Sequence, residues 1–595
     1  MYQYKAPLAD MQFHLNADSA DHETQLMVMQ EAAKLAEQVL NPVNQLGDTI
    51  GCKFDGNSVR LPASQIEAFK TYAAGGWMGV AMAEQWGGQA LPETLNTKVA
   101  EMITSANHSL SMISALTMSA IKALDVFGSE ALKQAYLPAM VAGQWTGTMC
   151  MTEAHCGSDL GLIKTLAKEA SPNAVQSVAP EFACYQVTGQ KIFISAGEHD
   201  AVDNIIHLVL ARTEGAPQGT KGLSLFLVPK FLPDGSHNTL QCIGIEEKMG
   251  IHANPTCTMD FDRAIGFLVG ELNQGMKAMF TMMNEMRLGT ALQGVGLSEQ
   301  AYQASRVYAL DRRQGKALNR QKQSAEAADV LIRHADVKRM VLTQKAFAQG
   351  GRSLCHLCAE LLDATNSSDP LIAKEAEPLL GLLTPIAKAF LTESGLESAS
   401  LAIQVYGGHG FIREHGVEQI YRDGRIATLY EGTTGIQALD LLGRKVLGDQ
   451  AQALLLFTKR IHRLCKQILN SEGEGESTDP RLRFMAERLL PYAKQWPTLA
   501  QTIGMKAMQD HDEVGAAATD FLMYSGYVAF AYCSLSMAYQ GHKRLNLEQP
   551  DQAFLEGKIK TARFYFDKLL PRADLHFSVI QQGKQALDDI DDENV

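Results

Sequence analysis

The chain has 595 residues, too many for one hydrophobic core, so several domains are expected. With 46% hydrophobic and 20% charged residues it reads as an ordinary soluble globular protein. Its net charge of −13 argues against sequence-independent nucleic-acid binding, which depends on neutralising phosphates.

The opening MYQYKAPLADMQFHL has no basic segment followed by an apolar one, so no secretory signal is expected. No apolar run reaches the length of a transmembrane helix, and no membrane span is expected. Ten scattered cysteines suit a reducing compartment, which points to the cytoplasm. Cys355 and Cys358 have metal-ligand spacing, but GRSLCHLCAELLD has a helical period and no second pair completes a zinc site. They read as core thiols, and no metal is expected.

Residues 1–147 read as an amino-terminal helical domain. Glu23–Leu40 and Leu95–Ile121 carry apolar residues three and four apart, and Gly128–Gln144 reads as a Ser-capped helix. Between them, MAEQWGGQALP breaks the pattern with Gly87, Gly88 and Pro92. From Trp145 the texture changes to short alternating runs. Tyr185 and Val187 alternate with polar neighbours, as do Ile192 and Ile194 beyond a turn at Gly189-Gln190, and Ile205–Ala211 and Leu223–Pro229 follow. This predicts a middle β domain, residues 148–262, of the size of a small barrel or sandwich.

Residues 263–446 return to helix. Met276–Leu318 is rich in methionine and in small residues that permit close packing. Asn319–Ala335 is polar and reads as an insertion, and Pro385 is expected to kink a helix or open one. Residues 447–595 form an additional helical domain. Leu454, Phe457, Ile461, Leu464 and Ile468 mark an amphipathic helix, Ser471–Pro480 a solvated linker, and two or three helices precede an acidic tail without fixed structure.

The chemistry concentrates in Gln404–Gln437, QVYGGHGFIREHGVEQIYRDGRIATLYEGTTGIQ, read as a helix, a loop and a helix start. Gly407, Gly408 and Gly410 leave the backbone bare for a bulky anionic ligand. Arg413, Arg422 and Arg425 add positive charge around that approach. Glu431 is a carboxylate on a loop beside a helix start, a candidate general base. The order and spacing of Gln-x-x-Gly-Gly-x-Gly, Arg-Asp and Tyr-Glu-Gly-Thr resemble the carboxy-terminal signature of the acyl-CoA dehydrogenase family. MAEQWGG resembles that family's amino-terminal turn, with Ala83 in place of proline. MCMTEAHCGSDL resembles its Thr-Glu-Pro-x-x-Gly-Ser/Thr-Asp loop, with Ala154 in place of proline, and GQKIFISAG resembles its Gly-x-Lys-x-Trp/Phe-Ile-Ser/Thr strand.

The resemblance implies a mainly α fold with a central β domain: an amino-terminal helical domain, a small β-barrel and a carboxy-terminal four-helix bundle. The additional helical domain resembles that of the family's long bacterial branch. It implies an FAD cofactor and an acyl-CoA substrate oxidised to the trans-2-enoyl-CoA. Carried over residue by residue, Met151 and Thr152 meet the isoalloxazine and Ser158 the pyrophosphate. Phe193 and Ser195 share a strand face against the flavin, since strand side chains alternate. Arg312 reaches the pyrophosphate across a subunit interface, and Gln404, Gly407, Gly408 and Thr433 complete the cofactor set. Asn284, Arg287 and Gly432 contact substrate, and Glu431 is the base. Some family members place the base immediately before the arginine matching Arg287. That slot is Met286 here, and Glu285 is one residue away, about 100° around a helix. Gly435 stands where short members carry glutamine, which removes an expected adenosine contact. The implied partners are an electron-transfer flavoprotein and a second copy in a homodimer. Two alternatives stay open: an acyl-CoA oxidase reoxidised by dioxygen, and a DNA-associated flavoprotein of the same family, whose basic carboxy-terminal domain contrasts with the acidic end here.

Overall fold

The computed structural model describes residues 2–15, 21–56, 58–170, 182–470, 479–547 and 550–595, which fall into two compact units. The first holds the described residues 3–8 and 21–289, and the second holds Tyr2, residues 9–15 and 290–595.

The first unit begins with helices, after α1 (Leu8–Gln12): α2 (His22–Leu35), α3 (Asn41–Ile50), α4 (Ala63–Ala74), α5 (Glu93–Ala106), α6 (His108–Phe127) and α7 (Glu130–Val141), with a short hairpin of β1 (Lys53–Phe54) and β2 (Val59–Arg60). Asn107 alone separates α5 from α6. Its Oδ1 accepts from the Leu110 N–H at 3.0 Å, and its Nδ2 donates to Leu40 O and Gln65 Oε1 at 3.2 and 3.0 Å. One buried amide therefore caps a helix and ties it to two others. Ser129 caps α7 through the Leu132 N–H, as the sequence predicts.

The β domain comprises β3 (Trp145–Cys150), β4 (Leu166–Glu169), β5 (Cys184–Ser195), β6 (Asn204–Thr213), β7 (Leu223–Pro229), β8 (Leu240–Ile245) and β9 (Thr256–Val269). Strands β6, β4, β5, β9 and β7 pair in that order and β7 returns to β6, closing a barrel. Strand β3 extends the sheet parallel to β6, and β8 runs antiparallel to β9. Closure leaves the ring without a free edge. Val187, Val209, Phe226, Met259 and Phe261 fill its core. The domain does not end at Asp262, since β9 runs on to Val269. Arg263 there has φ +54° beside a register shift, which hides the alternation from a period-two reading.

Helix α8 (Gly275–Asp311) carries the chain into the second unit, followed by α9 (Ala335–Thr365), α10 (Pro370–Tyr406), α11 (Val417–Gly424), α12 (Thr434–Leu439) and α13 (Gln452–Asn470). Pro385 opens no helix; it lies inside α10, which starts at Pro370 under an Asp369 cap. The polar stretch 319–335 folds around Asp329, whose carboxylate accepts from Ala317 N, Ser324 N and Ser324 Oγ at 3.0, 2.6 and 2.8 Å. These bonds, the backbone donors foremost, hold that carboxyl well below its usual range.

Of the expected linker, residues 471–478 lie outside the described residues; Asp479 already caps the next helix. Among the described residues four long helices follow, not two or three: α14 (Pro480–Ala507), α15 (Asp512–Leu545), α16 (Gln552–Lys568) and α17 (Arg572–Gln582). Helix α15 is buried on nearly all sides, so it shows no amphipathic period to count. The acidic tail takes a short α18 (Gln585–Asp588) and a 3₁₀ turn at Asp592–Asn594, with every side chain from 585 on exposed. All ten cysteines are free thiols, and Cys355 and Cys358 lie buried in α9 as core residues.

Among the described residues, three helical stretches, His108–Phe127, Pro370–Phe411 and Asp512–Leu545, are long and apolar enough to cross a membrane by length and composition. The expectation of none rested on uninterrupted apolar runs, whereas these intersperse Ser, Thr and Gly. In this fold 67%, 72% and 83% of their apolar windows are buried inside the protein.

The second unit's core meets at an aromatic cluster. The Phe390 ring of α10 lies 4.9 Å from Tyr527 and 5.7 Å from Phe530 of α15, and Phe347 of α9 lies 6.0 Å from Phe530. Gly526 makes this approach possible, because a Cβ there would sit 2.3 Å from Phe390 Cδ2. The Gly526→Ala variant is therefore expected to lose about 1–3 kcal/mol of stability through overpacking, outweighing the gain in helix propensity. Urea titration should show a lower midpoint at unchanged slope.

Candidate functional site

In the first unit, the loop after β3 is fixed by a buried ion pair. Lys191 of β5 is fully buried, and its Nζ lies 2.9 Å from Glu153 Oε1 and donates to Met151 O at 3.1 Å. Glu153 also accepts from Thr165 N and Oγ1 and from Lys164 N at 3.0, 2.6 and 2.8 Å. Burial opposes ionisation of this carboxyl, but Lys191 and the hydrogen bonds outweigh it and hold the pKa at about 2. The Ile192 N–H donates to Thr152 O at 2.9 Å, so Met151 and Thr152 are brought against residues 191–192 of the strand. Ser158 is exposed on the same loop. Glu153, His155 and Cys156 offer ligand atoms within 4.8 Å of one another, but the Glu153 oxygens are already engaged.

Alternation along β5 is not regular. A bulge lies between Lys191 and Ile194, and Phe193 has φ +60° and is 59% exposed. A bulky residue in the left-handed region costs about 1–2 kcal/mol, and such strain gathers at functional positions. Phe193 is exposed, Ile194 buried and Ser195 half-buried, on a stretch whose alternation the bulge interrupts.

On α8, Asn284 is exposed and Arg287 buried. Glu285, the rival base, lies 2.8 Å from Lys122 Nζ, which also pairs with Glu93. Burial pushes the Glu285 carboxyl up against the pull of Lys122.

In the second unit, α10 ends at Gly407, with φ +60° and ψ −136°, a conformation suited to glycine. A Cβ on Gly407 or Gly408 would meet nothing within 4 Å, so their backbone is open, as expected for close ligand approach. Gly410 is different: a Cβ there would lie 2.4 Å from Ile403 O, so it serves packing. Gln404 is exposed beside them. Tyr308 stacks on Tyr406 at 4.1 Å and its hydroxyl is 2.8 Å from His409 Nδ1, which brings the end of α8, with exposed Arg312, to the same region. The expected ring of arginine charge is largely spent locally: Arg422 pairs with Glu418, Arg413 lies 4.0 Å from Glu418, and Arg425 bonds the Thr428 hydroxyl. The segment also holds one more helix, α11, than expected.

Glu431 has φ +56° and Gly432 φ +86°. Gln437 Nε2 donates to Glu431 O at 2.8 Å, and Lys388 Nζ donates to Gly432 O at 2.6 Å. Thr433 then caps α12 by accepting from Ile436 N at 3.2 Å. The Tyr430 hydroxyl bonds Gln293 Oε1. Glu431, Gly432 and Thr433 thus form one pinned turn at a helix start.

Sequence models of the acyl-CoA dehydrogenase amino-terminal, middle and carboxy-terminal domains match residues 22–144, 148–264 and 273–447, and one described as acetyl-CoA dehydrogenase C-terminal like matches 457–591. The chain is 35% identical to the 3-methylmercaptopropionyl-CoA dehydrogenase of Ruegeria pomeroyi, over 98% of this chain and 99% of that one. The chain belongs to the acyl-CoA dehydrogenase family. It is 30% identical to a broad-specificity linear acyl-CoA dehydrogenase of Mycobacterium tuberculosis, over 94% and 92% of the two chains. Its fold matches the FAD complex of an acyl-CoA dehydrogenase from Bacillus anthracis at TM-score 0.75 and 19% identity, covering 98% and 92%.

This acyl-CoA dehydrogenase family member is a flavoprotein oxidoreductase with FAD as cofactor. In the second unit, the open backbone at Gly407 and Gly408 leaves room for the close approach of an anionic group. Sequence reasoning missed Glu153, Lys191, Lys122, Lys388 and Gln437 as working residues. Lys191 was visible as a lone charge at an inward strand position, and Lys388 as a lone charge in the apolar run GLLTPIAKAFL.

In the barrel, His199 and His207 are fully buried, and burial, with Lys230 nearby, pushes both down to about 3. Both histidine and Glu153 shifts are downward, so the unfolded chain binds more protons in acid. Stability should fall as pH drops below about 6.5 through the histidines, and again between about 4.5 and 2 through Glu153. Glu153→Gln is expected to cost about 3 kcal/mol at pH 7 and to flatten the lower of these two steps, read as melting temperature against pH.

Proposed function

We propose that this chain oxidises an acyl-CoA thioester to the trans-2-enoyl-CoA, with Glu431 taking the α-proton and an electron-transfer flavoprotein receiving the electrons. The observation that carries this reading is the Glu431 turn, pinned at two carbonyls by Lys388 and Gln437, while the alternative carboxylate, Glu285, is committed to Lys122. An α-proton is too weakly acidic for a carboxylate alone, so the thioester carbonyl needs donors where enolate charge develops. The backbone N–H of Glu431 is the donor assigned to it. Met151, Thr152, Ser158, Phe193, Ser195, Gln404, Gly407, Gly408 and Thr433 are the groups that the family resemblance assigns to the cofactor. Arg312, exposed at the end of α8, suits a contact to the cofactor of the second copy in a homodimer. A bound FAD would supply the acceptor for the hydride that leaves the β-carbon. Asn284, Arg287 and Gly432 are assigned to the CoA thioester.

The relatives' names, one for a sulfur-containing short acyl group and one for linear chains, set the panel to try. Anaerobic addition of acyl-CoAs of graded length to the yellow protein should bleach the flavin with at least one of them. Glu431→Gln should lower that rate by about 10³-fold, and Glu285→Gln should leave it within a few fold. The reverse pattern overturns the assignment of the base. Slow reoxidation in air, restored by an electron-transfer flavoprotein, fits a dehydrogenase; fast reoxidation in air alone makes it an oxidase.

A further inference from the structure

We infer that Lys388 is a positioning residue for the base, acting through the carbonyl of Gly432. The inference rests on the reading of Glu431 given above. Lys388 is fully buried in the middle of α10, yet its ammonium is aimed at a backbone oxygen one residue after Glu431, at 2.6 Å. Burying an ammonium costs several kcal/mol unless it is met by acceptors, so this placement is a specific demand of the fold. Gln437, also fully buried, holds the preceding carbonyl, that of Glu431, at 2.8 Å. Two successive peptide planes are thereby fixed directly after the Glu431 Cα. Together they set both dihedrals of Gly432 and restrain ψ of Glu431, and so the placement of the Glu431 side chain relative to the turn.

The turn needs such a clamp. Glu431 sits at φ +56°, a region that disfavours a side-chain-bearing residue by about 1–2 kcal/mol, and without outside restraint the peptide would relax. Gly432, at φ +86°, tolerates its conformation only as glycine, and a Cβ there would lie 2.6 Å from Gln437 Nε2. The clamp and the glycine are two halves of one device. In this reading Lys388 acts through the turn and decides where the carboxylate points.

The test uses the FAD-loaded full chain. Lys388→Met is expected to lower kcat by about 10–100-fold, the size expected when a reacting group is misplaced by about 1 Å, with KM within about threefold. The isotope effect on an α-deuterated acyl-CoA should rise, since proton removal becomes slower relative to the other steps. A purely structural role would lower the melting temperature and leave kcat per bound flavin, KM and the isotope effect unchanged, which would overturn the inference. Gln437→Met, read in the same way, carries the test if Lys388→Met does not yield folded protein; a kcat within twofold of wild type with an unchanged isotope effect overturns it there too. Glu431→Gln is run alongside. If it keeps its turnover, the reading of the base fails; if it is inactive while Lys388→Met is fully active, only the present inference fails.

Discussion

A carboxylate in a left-handed turn has to be held from outside the turn. At Glu431 the holding is done by an ammonium on α10 and an amide on α12, each fully buried and each bonded to a backbone oxygen. The desolvation of Lys388 is large compared with the strain it restrains, so the packing of α10 has to carry both. It can do so because α10 is 37 residues long and buried along most of its length. The chemistry of a short loop is thus supported by apolar contacts spread over several turns of helix.

The barrel solves the same problem with a different pair. The stretch from Met151 to Lys164 has no long regular element, and backbone pairing alone would leave it loose. Glu153 and Lys191 anchor it at its start, and the Glu153 oxygens reach on to Lys164 and Thr165 at its end. A charge pair with hydrogen bonds on every side is worth its desolvation here because it fixes geometry, which an apolar contact of equal volume would not do as narrowly. The positive φ of Phe193, two residues after Lys191, is held by the same strand.

The fold was legible in the sequence where one side of an element faces the core. The helices around Glu23–Leu40 and Leu454–Ile468 announced themselves by period, and Ser129 by its cap. Legibility failed where a local rule was broken on purpose: at Arg263, where a left-handed residue interrupts β9, and in α15, where burial on all sides erases the period. The site was legible as motifs, since Gln404–Gln437 and the two barrel stretches could be quoted from the chain alone. What the motifs did not disclose was division of labour. Gly410 was grouped with Gly407 and Gly408, yet it packs against Ile403 while they stay open. The arginines looked like a field for an anion, and Glu418 takes up two of them. Such distinctions depend on which atoms meet across tens of residues, and spacing carries no record of that.

The carboxy-terminal extension belongs to the same structural argument. Phe390, two residues beyond Lys388 on α10, packs its ring into Tyr527 and Phe530 of α15, and Gly526 is what lets the two helices come that close. Phe347 of α9 joins the same cluster, and Tyr565 of α16 stacks behind Phe530 at 4.8 Å. Each such ring hides about 150–250 Å² from water, so the cluster is worth several kcal/mol at about 25 cal/mol per Å². Arg572 of α17 adds a bidentate pair to Glu397 of α10 at 2.8 and 2.9 Å. At the amino end, Asp10 pairs with Lys558 of α16 and lies 3.6 Å from Arg352 of α9, so residues 9–15 are held with this unit and not with the amino-terminal helices. The extension is therefore continuous with the core that seats α10, and through α10 with the seat of Lys388 and the Glu431 turn. The helices on either side of residue 447, where one family model ends, share one core in packing.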